Sequence, residues 1–217
     1  MKRYPLSPES PVPPLWKNYP FRPLFIAAFE KGEFLCVQDQ PVENLFLIKS
    51  GKVKVCTTSP EGKNLLISFS TPGSLIGHVP LLLQSNSINS VQAATKVTCY
   101  AIPIEEFLKV ARDNPEFMNH MAVLLAERIQ QSEHNATINI LSNLEMRLCA
   151  YIEQMQNGGF FEDNLSTLSE LLGTSYRHLH RTLRTLCKKG ILMKAGHGYQ
   201  ILDMNALSAG AGGMYRI

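Results

Sequence analysis

The hydrophobic pattern of this sequence changes period at Pro103, and this change restricts the fold more than any other feature. Upstream of Pro103, apolar residues cluster in short runs separated by turn-forming residues, which is typical of β-strands. These runs are residues 33–37, 44–48, 52–57, 64–70 and 91–102. Downstream, apolar residues recur three and four positions apart, and residues 116–142 contain no proline or glycine. A β-rich part followed by a helical part predicts an α+β protein.

Short strands at this spacing predict a sandwich or a roll. A jelly-roll-like β-roll is the economical choice because it leaves few strand edges exposed. Residues 60–63 read Pro-Glu-Gly-Lys and predict a hairpin turn, since proline presets φ and glycine accepts a positive φ. We place the β-roll at residues 24–115. Seven of the 13 prolines lie in the first 23 residues, which predicts a Pro-rich N-terminal arm ahead of the roll.

Residues 116–142 are long enough for a helix of about 40 Å, and apolar residues recur on two of its faces. One set alternates spacings of four and three residues, as in the seam of a coiled coil. This set is Met118, Ala122, Leu125, Ile129, Ser132 and Ala136. A second set includes Phe117, Met121 and Leu124. Because both apolar faces must be buried, we predict that one packs on the β-roll and the other on a second subunit.

Residues 143–217 are predicted to contain two short helices followed by a hairpin. The predicted elements are helices 166–172 and 175–188 and strands 191–194 and 199–202. Gly173 supplies the turn between the helices, where a side chain would strain the backbone. Ser175 is a suitable N-cap for the second helix. The Gly/Ala-rich residues 208–213 predict a mobile tail.

The second of these helices has a leucine face and an arginine face. The leucines, spaced four and three residues apart, are Leu179, Leu183 and Leu186. The arginines have the same spacing on roughly the opposite face and are Arg177, Arg181 and Arg184. An exposed row of arginines that starts at a helix N-terminus fits a helix in the major groove of DNA, because the guanidinium fork binds guanine O6 and N7 bidentately.

The charge distribution supports double-stranded DNA as the partner. Residues 171–202 contain six basic residues and no aspartate or glutamate. A solvated helix face normally mixes both signs of charge, so this stretch favours a polyanion over water alone. The residues expected to bind phosphates are Ser175, Arg184, Lys188, Lys189 and Lys194.

Several classes of protein are excluded by what the sequence lacks. No run approaches the ~18 apolar residues of a membrane-spanning helix, and no signal peptide precedes the first strand. The five cysteines are an odd number and form no C-x-x-C motif, so we expect a reducing cytoplasm and no metal site. His178 and His180 are two residues apart on a helix and cannot share an ion. No catalytic constellation is visible, so we expect no enzyme.

With these residues in place, the sequence resembles the CRP/FNR superfamily of bacterial transcription regulators. Residues 30–82 resemble its cyclic-nucleotide-binding β-roll, and residues 165–192 resemble its winged helix-turn-helix. The motifs that carry the first likeness are K-G-E at 31–33, S-G-x-V at 50–53, the E-G turn at 61–62 and P-G-x-x-x-G at 72–77. Residues 175–179 are reminiscent of the YeiL-type branch.

The resemblance implies roles for individual residues and partners. Tyr176, Arg177, His180 and Arg181 match the base-reading positions of the family, and Arg181 matches its most regular guanine contact. The helix at 116–142 matches the dimerisation helix. A homodimer would read an inverted repeat whose half-sites lie ~34 Å apart. RNA polymerase is a further implied partner.

The effector region departs from the family pattern. Gly77 matches the glycine position of the family's nucleotide pocket, but His78 stands where cyclic-nucleotide binders carry a glutamate. Together with Val79 and Ser90, these two residues define our candidate effector pocket. Residues 23–111 contain no arginine, so a buried cyclic phosphate would lack a paired cation. We therefore do not expect cAMP or cGMP as effectors.

Other cofactors are disfavoured as well. The first cysteine is Cys36, so the N-terminal cysteine cluster of the oxygen-sensing branch is missing and an iron–sulfur cluster is not expected. Haem is not expected from the lone His78. Cys36, Cys56 and Cys99 lie in apolar strand patterns and are expected in the core. No cofactor is predicted, and an unidentified small-molecule effector stays open.

The predicted organisation is an arm at 1–23, a sensor β-roll at 24–115, a dimerisation helix at 116–142 and a DNA-binding domain at 143–217. The leading hypothesis is a homodimeric, sequence-specific regulator whose roll senses an input other than a cyclic nucleotide. One alternative is a ligand-independent regulator whose roll only dimerises or binds a protein. A second is a small-molecule-binding protein without DNA function.

Overall fold

The computed structural model describes residues 1–6, 25–111 and 114–214, without the side chains of residues 110, 111, 120, 128 and 131–141. The strands are β1 Lys2–Pro5, β2 Phe25–Phe29, β3 Phe34–Cys36, β4 Asn44–Ser50, β5 Val53–Thr58, β6 Asn64–Ser70, β7 Leu75–Ile76, β8 Ser90–Ala93, β9 Val97–Pro103, β10 Phe160–Phe161, β11 Leu192–Ala195 and β12 Gly198–Ile201. The helices are α1 His78–Leu83, α2 Ile104–Ala111, α3 Pro115–Leu141, α4 Leu144–Met155, α5 Leu165–Leu171, α6 Tyr176–Lys188 and α7 Met204–Ala211. The chain divides into two compact units, one of Met1–Thr57 with Phe69–Ser132 and one of Thr58–Ser68 with Glu133–Ile217.

Two sheets build the β-rich part of the chain. One has the strand order β1-β2-β9-β4-β7 and the other the order β3-β8-β5-β6. Neighbouring strands of the first sheet are antiparallel, with Phe25 opposite Ala101 and Phe46 opposite both Ala101 and Ile76. Most neighbouring strands, such as β2 and β9 or β3 and β8, are distant in sequence, which is characteristic of a roll. The predicted α+β fold with an N-terminal β-roll is confirmed.

Some strands differ from the prediction. The run at 91–102 forms two strands, β8 and β9, because Ala94 and Thr95 turn to donate hydrogen bonds to the carbonyl of Lys52. The sequence pattern also did not predict β1, which lies at the start of the Pro-rich arm and pairs with β2. The Met1 ammonium group lies 3.0 Å from Glu33 Oε1 and holds the start of this strand. The remaining arm, residues 7–24, lies outside the described residues.

Helices α2 and α3 cover the end of the roll. Asn114 caps α3 by accepting a hydrogen bond from the N–H of Phe117 at 3.0 Å. The rings of Phe107 and Phe117 meet edge to face with centroids 5.3 Å apart, and Phe117 and Met121 are each 1% exposed. Both belong to the hydrophobic core that includes Leu45 and Ile102. One apolar face of α3 therefore packs on the roll, as predicted.

The other face of α3 is open to solvent where it is described. Met118 is 40% exposed and Ile129 is 60% exposed. Ala122 is exposed as well, and Leu125 is half-buried. The side chains of the two remaining seam residues, Ser132 and Ala136, lie outside the part of the chain that is described.

The second unit contains α4 to α7 and a small sheet with the order β10-β12-β11. Both predicted helices and the predicted hairpin are present within two residues of their expected ends. The expectation of a mobile tail was wrong, because α7 extends to Ala211 and packs against α4. Leu207 and Ala211 are fully buried, and the hydroxyl of Ser208 donates a hydrogen bond to Glu153 Oε1.

Candidate nucleic-acid interface and effector region

Side-chain caps fix the starts of the two helices α5 and α6. Asn164 Oδ1 accepts hydrogen bonds from two backbone N–H groups in the first turn of α5. Ser175 Oγ accepts one from the N–H of His178 at 3.2 Å, as its predicted role as N-cap requires. Between the helices, Gly173 has a φ of 59°, the left-handed conformation that favours glycine. The turn thereby sets the orientation of α6 relative to α5.

The inner face of α6 anchors the helix in the core of its unit. Leu179, Leu183 and Leu186 are each 0% exposed. Because they repeat every three to four residues, burying them fixes the rotation of the helix about its axis. The remaining positions of α6 are thereby held at the surface.

The outer face of α6 is cationic, with an aromatic pair at its start. The exposed side chains among the predicted DNA-binding residues of this helix are Tyr176, Arg177, Arg181, Arg184 and Lys188. His180 is half-buried, and its ring lies 4.6 Å from that of Tyr176 at an interplanar angle of 60°. The fold thus brings the predicted base-reading residues onto one exposed helix face.

The predicted wing is the hairpin of β11 and β12. Lys194 lies directly opposite Tyr199 in this hairpin, and its Nζ atom lies 4.5 Å above the tyrosine ring. Burial raises the pKa of the Tyr199 phenol. Strand β11 of the wing packs against α6. Sequence reasoning named Lys194 and missed Tyr199, although the predicted hairpin register pairs these two residues.

Lys189, predicted to bind a phosphate, makes an ion pair with Glu145 of α4. The Nζ–Oε1 distance is 2.5 Å, and the side chains are 50% and 31% exposed. Sequence reasoning missed this partner because Glu145 is 44 residues away along the chain. Lys188, the neighbour of Lys189, is exposed at the end of the helix.

The candidate effector residues lie in two elements of the roll. Gly77 precedes α1 with a φ of 91°, and a Cβ atom there would come within 3.0 Å of the carbonyl oxygen of Asn44. His78 is buried at the start of α1, and Val79 is half-buried. Ser90 begins β8. A side chain at Gly77 would therefore be strained in both backbone angle and space.

Hydrogen bonds join the start of β8 and the residues just before it to the loop after β3. Ser90 Oγ accepts a hydrogen bond from the N–H of Gln38 at 3.0 Å. The side-chain amide of Asn86 donates to the carbonyl of Asp39 at 2.8 Å, and the N–H of Asp39 donates to the carbonyl of Ser87 at 2.7 Å. The hydroxyl oxygen of Ser90 is thus already an acceptor within the protein.

The strand cysteines are buried, as predicted. Burial raises the pKa of the Cys36 and Cys99 thiols to about 12 each. Burial also raises the pKa of Cys56. Within the described ranges, no group of three or more His, Cys, Asp or Glu residues is arranged to hold a metal ion. No helix in the described part of the chain is long and apolar enough to cross a membrane.

A β-roll, a long helix and a winged helix-turn-helix with a cationic outer face define a DNA-binding transcription regulator. Two family models match the chain: the cyclic nucleotide-binding domain over residues 26–114 and the Crp-like helix-turn-helix domain over residues 146–209. The chain belongs to the CRP/FNR superfamily of transcription regulators, which bind DNA and are not enzymes.

Individual relatives agree with this assignment. The regulatory protein YeiL of Escherichia coli O157:H7 is 27% identical over 180 residues, which cover 83% of this chain and 82% of that protein. A CRP-like cAMP-activated global transcriptional regulator of Mycobacterium tuberculosis is 21% identical over 83% of this chain and 85% of its own. A crystal structure of a CRP/FNR-family regulator from Eubacterium rectale shares the fold, with a TM-score of 0.76, 17% identity and coverage of 86% and 89% of the two chains.

Proposed function

We propose that the chain is a homodimeric regulator that reads an inverted-repeat operator through α6. The observation that carries this proposal is the outer face of α6, where the cationic and aromatic side chains lie opposite a fully buried leucine row. A helix held in this way presents a fixed pattern of donors to the major groove. Because chromosomal DNA is the expected partner, the protein would act in the cytoplasm.

Base reading is assigned to the first two turns of α6. Arg181 would bind guanine O6 and N7 with both arms of its guanidinium group. Arg177 lies one turn earlier on the same face, and Tyr176 and His180 lie beside it. These four residues are the specificity-determining set, since they are closest to the helix N-terminus.

Phosphate binding is assigned to the rim of this surface. Ser175 uses its oxygen lone pair to cap α6, so its hydroxyl hydrogen remains available for a phosphate oxygen. Arg184 and Lys188 are exposed along the helix, and Lys194 is exposed on the wing. Lys189 would have to leave Glu145 to bind a phosphate.

Dimerisation is assigned to α3. Its seam is supported by the exposure of Met118 and Ile129, which a second subunit would cover. A two-state shift in the register or rotation of the paired helices would then change the spacing of the two recognition helices. The active form would recruit RNA polymerase at the promoter.

We further propose that the roll responds to an input other than cAMP or cGMP. The residues do not fit a cyclic phosphate: His78 stands where a ribose-binding glutamate is expected, and residues 23–111 offer no arginine. Neither haem nor an iron–sulfur cluster is assigned. A calorimetric titration with each cyclic nucleotide tests this, and micromolar binding of either would overturn it.

A second candidate is a ligand-independent regulator whose roll dimerises or binds a protein partner. It is favoured by the hydrogen bond from the N–H of Gln38, which occupies the hydroxyl oxygen of Ser90 in the candidate pocket. Native mass spectrometry of the gently purified dimer distinguishes the two. A bound small molecule favours the sensing form, and a bare dimer that binds its operator favours the ligand-independent form.

The test of the proposed function is selection of duplexes from a random library, with the wild type and Arg181→Ala in parallel. The wild type should enrich an inverted repeat, and Arg181→Ala should lose the preference at one base pair per half-site. Arg147→Ala, in a helix other than α6, is the control and should keep the same motif. No enrichment by the wild type at any salt concentration, with or without a co-purifying small molecule, would contradict DNA reading and favour a small-molecule-binding protein without DNA function.

A further inference from the structure

Tyr176 is an unusual residue for the surface it occupies. It is the first residue of α6 and is 52% exposed, amid arginines that extend along the same face. An arginine row alone suffices for phosphates and guanines. The proposed function places this end of α6 against the bases, and a half-exposed aromatic ring there calls for a ligand group that is itself apolar.

The ring is held in place by its own helix. His180 follows one turn later, and the two rings contact each other with centroids 4.6 Å apart. An aromatic side chain restrained in this way loses little further conformational freedom on binding.

The major groove contains one apolar group at its base edges, the C5-methyl of thymine. Facing an aromatic ring with any other base edge would remove water from donors or acceptors without replacing their hydrogen bonds. We propose that Tyr176, supported by His180, is a specificity-determining residue that reads a thymine methyl group in each operator half-site. This inference rests on the proposed function, and it adds a thymine to the guanine assigned to Arg181.

The direct probe is uracil, which lacks only the C5-methyl group of thymine. Each thymine of the selected operator is replaced in turn by deoxyuridine, and dissociation constants are measured for the wild type, Tyr176→Phe and Tyr176→Ala. Losing one buried methyl corresponds to about a fourfold loss of affinity per half-site. The wild type and Tyr176→Phe should show this loss at one thymine per half-site, whereas Tyr176→Ala should bind both duplexes equally.

His178→Ala is the matched control, because His178 is exposed in the same turn but on another side of α6. It should retain the uracil sensitivity of the wild type. Tyr176 is half-exposed, so its variants should keep the wild-type melting temperature. An operator that binds equally with uracil at every position would overturn the proposal. So would a Tyr176→Phe variant that loses as much affinity as Tyr176→Ala, because the hydroxyl would then be the contact. If the wild type selects no duplex at all, the proposed function itself fails; binding without methyl sensitivity overturns only this inference.

Discussion

Replacing Glu145 by glutamine should weaken the fold and strengthen DNA binding at the same time. Glu145 holds Lys189 through an Nζ–Oε1 contact of 2.5 Å, and both side chains remain partly exposed, at 31% and 50%. Exposed ion pairs of this kind contribute about 0.2–1 kcal/mol to stability. Lys189 can bind a phosphate only after this ion pair is broken, so phosphate binding by Lys189 costs the same energy.

The magnitudes follow from this competition. Glu145→Gln should lower the free energy of unfolding by about 0.2–1 kcal/mol, including the loss of a favourable charge in the first turn of α4. Operator affinity should rise by up to the same energy per half-site, or as much as about fivefold. If Lys189 stays paired with Glu145 in the DNA complex of the wild type, the variant gains one phosphate contact per half-site. The slope of log K for DNA binding against log salt concentration should then steepen by about 0.9 per half-site.

The assay combines urea denaturation with fluorescence anisotropy on the operator at several salt concentrations. Glu162→Gln removes the same charge from an exposed position of the same unit and is the control. It should give a smaller gain in affinity. Adding Lys189→Ala to Glu145→Gln should abolish the gain. Unchanged or weaker DNA binding by Glu145→Gln, or a gain that survives Lys189→Ala, would refute the competition.

Three further outcomes are expected. Phe117→Ala should lower the unfolding free energy by about 3–5 kcal/mol in urea denaturation, because its ring is 1% exposed; a loss below 1 kcal/mol would contradict the packing of α3 on the roll. Iodoacetamide at pH 8 should label Cys187, which is half-buried, well before Cys99, since a pKa of about 12 leaves about one thiolate in ten thousand. Mass spectrometry of the native protein reports the order, and equal labelling would disprove the burial of Cys99. Ile129→Asp should dissociate the proposed dimer in light scattering while Gln130→Asp does not, and a dimer that survives Ile129→Asp would place the subunit interface elsewhere.

The helix-turn-helix could be predicted from sequence because its signals are local. Gly173 and Ser175 mark the turn and the cap, and the spacing of the leucines in α6 gives the rotation of the helix. Each of these features depends on residues within a few positions of one another. The structure accordingly reproduces the predicted helices almost to the residue.

The elements that were missed depend on distant contacts. Only the fold brings Lys189 next to Glu145. The six basic residues counted in residues 171–202 therefore overstate the number of cations that are free to bind DNA. The Gly/Ala content of residues 208–213 indicated mobility, whereas the small residues allow α7 to approach α4 closely: a Cβ atom at Gly210 would lie 3.1 Å from the sulfur of Cys149. Strand β1 is polar and exposed, so it has no apolar pattern to reveal it.

The most direct test of the central claim, that α6 reads bases through Arg181, is to replace the guanine it is assigned to by 7-deazaguanine. This change removes the N7 acceptor and leaves pairing unchanged. The full bidentate contact is worth about 1–3 kcal/mol per half-site, and the wild type should lose up to this amount of binding energy. Arg181→Ala should bind both duplexes equally. Equal losses in the wild type and in Arg181→Ala, or no loss in either, would contradict the account.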